Sequence, residues 1–185
     1  MGFSGELVFG RSERPLTAAP VFGGLRADDE DSVGSWWPRP GGWQTWQFHR
    51  TAFPGRPVDV LGAVVDWTGS PACVATVHDS DVARVHGLAP GGNRWSAWLH
   101  LETASDVLDR PLSELDADVP ADARAALAWA RSAGAGADAS PATIERALRS
   151  HETFVEDLFA TVLDHLGFPE AVDPGTAHRA AAPPT

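Results

Sequence analysis

Residues 72–102 read ACVATVHDSDVARVHGLAPGGNRWSAWLHLE, and their period decides the fold. Cys73, Ala75 and Val77 alternate with Val74, Thr76 and His78, the two-residue period of a strand with distinct faces. Asp79-Ser80-Asp81 is a turn signal, and Val82 to Leu88 reads as the return strand. Gly91-Gly92-Asn93 makes the next turn. Beyond it Trp95, Ala97, Leu99 and Leu101 alternate with Ser96, Trp98, His100 and Glu102. Three strands joined this tightly imply an antiparallel meander.

Upstream, Glu6 to Phe9 is a short apolar run with strand character. Trp43 to His49 alternates again, with Trp46 and Phe48 on one face and Trp43, Thr45 and Gln47 on the other. Between them, 11–25 is loop by its Pro and Gly content, and the aromatic stretch Trp36-Trp37-Pro38 through Gly42 reads as turn. Val60, Leu61, Val64 and Val65 recur at helical spacing, so a helix is predicted over 58–67, with Pro57 in its first turn and Gly69 just past its end.

Downstream the period is helical. Ser105 opens a short helix that ends near Leu108 before Pro111. Pro120 to Ala133 is Ala-rich and stops at Gly134. A long helix is predicted from Ser140, with Pro141 in its first turn, to Gly167 before Pro169. Its apolar stripe is Ile144, Leu148, Phe154, Val155, Leu158, Phe159, Val162 and Leu166. The expectation is therefore α+β: a mainly antiparallel sheet of about five strands, helices packed on one face, and a long C-terminal helix. A single domain over 1–169 is expected, with a mobile tail over 170–185.

Composition narrows the chemistry. All 14 basic residues are Arg, against 25 acidic residues, for a formal charge of −11. The absence of Lys and Tyr, with abundant Ala, Gly, Pro and Arg, reads as a GC-rich genome. Without Lys there is neither a phosphate loop ending in Lys nor a Schiff-base lysine. No GxSxG, HExxH or CxxC occurs. The acidic balance opposes binding to nucleic acid or anionic membrane and permits a basic protein partner. A single cysteine, no 18-residue apolar run and no secretory pattern in Met1–Gly10 lead to a cytoplasmic expectation.

Each candidate site has a plainer structural role beside the functional one. His78, Asp79, Asp81 and His86 could bind a metal if the two histidines met across the hairpin. Turn hydrogen bonding explains the same residues, so no metal or cofactor is assigned. His151 with Glu152, Glu156 and Asp157 could do acid–base work, or be a hydrogen-bonded interface. Cys73, mid-strand beside Ala75 and Val77, reads as a buried small hydrophobe. The tryptophans are the most unusual feature. Trp36, Trp37, Trp43 and Trp46 fall close together behind the acidic run Asp28, Asp29, Glu30 and Asp31, and an aromatic-plus-acidic surface suits a protein partner. A rival is a small-molecule binder or enzyme with a His/Asp pocket between sheet and helices, using His78, His100 or His151.

The segments MGFSGELVFGRSERPL, SWWPRPGGWQTWQF and TGSPACVATVHDSD resemble a group of small actinobacterial, Streptomyces-like proteins of unknown function. The element order is also similar to immunity and defence-associated proteins of those bacteria. The second resemblance implies a non-enzymatic accessory or immunity role acting on a protein partner. Neither transfers a catalytic or binding residue.

Overall fold

The computed structural model describes residues 2–23, 25 and 31–172. Six strands form one antiparallel sheet: β1 (Gly5–Arg11), β2 (Val33–Pro38), β3 (Trp43–His49), β4 (Ala72–His78), β5 (Val82–Leu88) and β6 (Arg94–Leu99). Their order is β2-β3-β1-β4-β5-β6. The meander β4–β5–β6 is as its alternation predicts, with Ala75 opposite Val85 and Val85 opposite Ala97. The apolar run of β1 is explained by its place. It lies between β3 and β4, buried on both faces, where a strand needs no polar alternation.

The helices are α1 (Pro57–Thr68), α2 (Leu101–Leu108), α3 (Leu112–Ser132), α4 (Pro141–Leu148) and α5 (Val155–His165). The α+β class is as expected, but both faces of the sheet are covered. On the front face, α3, α4 and α5 bury Phe9, Trp43, Cys73, Val85, Trp95 and Leu99. On the back face, Val60, Leu61, Val64 and Val65 of α1 pack with Val8, Trp46, Phe48 and Val74, helped by Leu16 and Phe22 from the 11–25 loop. Gln44 fastens that loop: its Oε1 accepts from the Leu16 N–H, and its Nε2 donates to the Ser12 and Arg14 carbonyls. The α1 helix ends as predicted, with Gly69 left-handed at φ 64°.

Four local expectations are corrected. The aromatic stretch read as turn contains β2, an edge strand, and an edge is where Pro38 is tolerated. The last strand stops at Leu99 rather than continuing to Glu102, because His100 turns the chain left-handed (φ 58°) into α2. The helix expected from Pro120 begins at Leu112. Pro120 cannot donate to the Asp116 carbonyl four residues back, and Arg149 Nη2 supplies a donor there at 3.4 Å.

The fourth concerns the long C-terminal helix, which is divided into α4 and α5. Tertiary hydrogen bonds divide it. The Glu152 N–H donates to His100 Nε2 at 3.3 Å, and the Val155 N–H donates to the Ser80 carbonyl at 2.9 Å. These donors are thus taken by the sheet side rather than by a continuous helix. Phe154, placed in the stripe by sequence, is 52% exposed, whereas Leu158 and Val162 are buried. Among the described residues no helix is long and apolar enough to cross a membrane. Asp28, Asp29 and Glu30, and the expected tail beyond residue 172, lie outside the described residues.

Candidate functional site

The back face is covered unevenly, and this makes a cleft. The α1 helix lies over β1, β4 and β5 behind the sheet, while α3, packed in front, runs along the edge strand β6. Between them, above β5 and β6, is a cavity of about 430 Å³. Val58 and Leu61 of α1 and Ala121 and Ala125 of α3 form apolar walls, and His86, Arg94, Ser96 and Asp122 supply polar groups. The strand period puts Arg84, His86, Ser96 and Trp98 on this face, because Val85, Ala97 and Leu99 point to the front. Across β5 and β6, His86 stands opposite Ser96 and Arg84 opposite Trp98.

Arg84 organises the floor. Its Nη2 donates to Ser96 Oγ at 2.7 Å, and its guanidinium lies 5.1 Å from the centre of the Trp98 ring. An adjoining cavity of about 100 Å³ is bordered by Arg84, Arg110, Asp118 and Asp122, so Asp122 faces both spaces. Burial pushes the Asp122 carboxyl up to about 6; the nearby Arg84 opposes this and Asp118 adds to it. Burial, with Arg84 adding to it, lowers the pKa of His86. Near neutral pH the cleft thus holds a neutral imidazole and a carboxyl that exchanges its proton easily. Apolar walls with a few convergent polar groups, two of them perturbed, are the features of a small-molecule pocket.

The tryptophans expected to form one surface are divided between two cores. Trp43 (7% exposed) stacks on Phe9 at 5.0 Å in front, and Trp46 (4% exposed) stacks on Trp36 at 5.5 Å behind. Alternation along β3 forces this separation, since residues 43 and 46 are an odd number apart. Trp36 and Trp37 are half-buried, and Asp31 is exposed.

His78 and His86 do not meet. His78 pairs with Val82 beside the turn, and His86 pairs with Val74 four positions further along the strand. Arg50 Nη2 lies 3.2 Å from His78 Nδ1 instead. Among the described residues no three His, Cys, Asp or Glu side chains gather as a metal site requires. Asp79 Oδ1 accepts from the Gly2 N–H, a structural role in the turn. Asp81 contributes its backbone carbonyl, 2.7 Å from His100 Nδ1.

His100 and His151 stack with ring centres 4.1 Å apart. His100 is buried, and its partners fix one tautomer: Nδ1–H donates to the Asp81 carbonyl while Nε2 accepts from the Glu152 N–H. Both nitrogens are thereby used, so His100 is a structural joint. Burial lowers its pKa, against the hydrogen bond to Asp81. Glu156 accepts from Ser80 Oγ at 2.7 Å, and Asp157 lies exposed nearby. Cys73 is fully buried, and burial raises its thiol pKa beyond any ordinary pH, more than the charge of Arg39 lowers it. It is the small core residue expected.

Asp122 and Arg84 escaped the sequence reading. The strand period places Arg84 beside His86, which was visible. Nothing local marks Asp122, one of four acidic residues in α3, because only the packing of that helix along β6 brings it there. No family model, no curated protein and no solved structure matches this chain.

Proposed function

We propose that this chain is a cytoplasmic protein that binds a small polar molecule in the cleft between α1 and α3. This is the His/Asp-pocket class of reading, with His86 and Asp122 in place of His78, His100 and His151. One observation carries it: across a single concave site, burial drives both His86 and Asp122 toward their neutral forms. A ligand with an apolar body and a hydrogen-bonding head suits such walls and floor. Binding rather than turnover is supported because Ser96 Oγ is engaged by Arg84 and the only thiol is buried on the other face.

The test is an amide-detected NMR titration with small carboxylic acids, amides and alcohols. The expected result is a set of fragments whose shifts concentrate at Val58, His86, Ser96 and Asp122, with affinity reduced at least tenfold by His86→Ala. A library that shifts nothing there, or hits unaffected by that substitution, removes the reading.

A second reading, a protein-binding accessory or immunity role, is favoured by β2. Among the described residues this outer strand pairs only with β3, and Trp36 and Trp37 stand half-buried on it. The Val172 N–H meets this edge at its Pro38 end, 2.8 Å from the carbonyl, and the remaining edge beside aromatic rings suits strand addition by a partner. The resemblance to actinobacterial immunity-type proteins supports the same class. Recovery of partners from native lysate by wild type and by Trp36→Ala/Trp37→Ala tests it, and equal recovery by both counts against it.

A further inference from the structure

On the front face, away from the cleft and independent of it, a small cavity of about 60 Å³ lies between the sheet and α5, with exposed Asp157 and Ala171 at its rim. Arg39, just past β2, reaches into this layer with its side chain only 1% exposed. Its Nη1 donates to the Asp164 carboxylate and, at 2.8 Å, to the Pro169 carbonyl. Its Nε, on the side of the guanidinium turned away from Nη1, is buried and has no partner among the described residues. Glu156 is the chemical counterpart. Its Oε1 accepts from Ser80, and its Oε2 is buried with no donor among the described residues. Both residues border the same cavity, together with Leu7, Trp37 and Phe159. Buried polar groups in folded proteins are overwhelmingly paired. One orphaned donor and one orphaned acceptor on a single cavity therefore define what should lie between them.

We propose that this cavity is a binding site for a small uncharged molecule bearing a primary amide. The carbonyl would accept from Arg39 Nε–H, and the NH₂ would donate to Glu156 Oε2. Charge selects the neutral class. Glu156 and Asp157 border the cavity, and its one guanidinium is already neutralised by Asp164, so an added anion would be repelled. A cation would have to lie against Arg39. Leu7, Trp37 and Phe159 offer an apolar wall for a methyl group. The volume exceeds the roughly 10–15 Å³ that one water requires and limits the guest to a few heavy atoms. Acetamide is the probe of that size and chemistry.

The experiment follows the Arg39 Nε–H resonance in ¹H–¹⁵N spectra during acetamide titration of the full chain. The expected result is a saturable shift with a dissociation constant of roughly millimolar order, the range open to so few atoms. Glu156→Ala should weaken binding at least tenfold. Ala160→Leu, which fills the cavity from its α5 wall, should abolish it while leaving the fold intact by circular dichroism. A shift that rises linearly without saturating, or the same titration in both variants as in wild type, overturns the proposal. So does a high-resolution crystal soaked in acetamide that shows only water between Arg39 and Glu156.

Discussion

Two substitutions four residues apart on the same segment test whether α5 sits as described: Phe154→Ala and Leu158→Ala. By size alone, phenylalanine should be the more damaging loss. The structure reverses the order. Leu158 is 0% exposed in the front core, so truncation removes apolar burial and leaves a void, which costs about 2–5 kcal/mol. Phe154 is 52% exposed and precedes the first turn of the helix. About half of a side chain that can bury roughly 200 Å² is covered, and part of that cover is kept by alanine, so the loss is about 1 kcal/mol. In urea, with a slope of about 2 kcal/mol per molar, Leu158→Ala lowers the midpoint by roughly 1–2.5 M and Phe154→Ala by about 0.5 M. The assay is equilibrium unfolding followed by far-ultraviolet circular dichroism and tryptophan fluorescence, with coincident transitions required. Equal midpoints, or a lower one for Phe154→Ala, would refute the placement of α5 and the division of the C-terminal helix with it.

Three other outcomes follow from single sites. Gly87→Ala should destabilise by about 1–3 kcal/mol, read as a lowered thermal midpoint, because its methyl would fall on the Trp95 indole in the front core; an unchanged midpoint would mean that the ring is elsewhere. The Asp122 carboxyl titrates at about 6 when folded and near its ordinary 3.8 when unfolded, so its contribution is complete below about pH 4 and is lost as pH rises through 6. Asp122→Asn should therefore gain stability relative to wild type across that window in denaturation curves taken from pH 4 to 7, and a constant difference would contradict the burial argument. Cys73 should resist a thiol reagent such as DTNB in the native protein and react fully in guanidinium, since burial raises its pKa and shields it; rapid native labelling would place it at the surface.

Much of the sheet was legible because its signal is local. Alternation from Cys73 to Leu99 specified three strands and their faces, and Gly69 marked the end of α1. What escaped depends on distant partners. Pro38, Pro40, Gly41 and Gly42 outweighed the strand character of Trp36 and Trp37, since nothing local says that a segment will be an edge. Helical spacing runs unbroken from Ile144 through Leu148, His151 and Val155 to Leu158, and only His100 and Ser80, far away in sequence, interrupt it. Pro120 read as a beginning because Arg149, the donor beside its missing bond, lies outside any local window. The candidate site divides in the same way. Arg84 and His86 share a strand face by period, whereas Asp122 joins them only through packing. The tryptophans illustrate the converse: their nearness in sequence suggested one surface, and the same two-residue period sends them to opposite sides.

The order of the sheet gives its first strand an unusual position. β1 is made earliest yet ends in the middle, with β3 on one side and β4 on the other. During synthesis it must wait for a neighbour that lies some sixty residues further along before its second edge is filled. Losing those opening residues would not trim a border. It would divide the sheet into an isolated two-stranded ribbon and a three-stranded meander, so β1 acts as the keystone of the arch rather than its outermost stone.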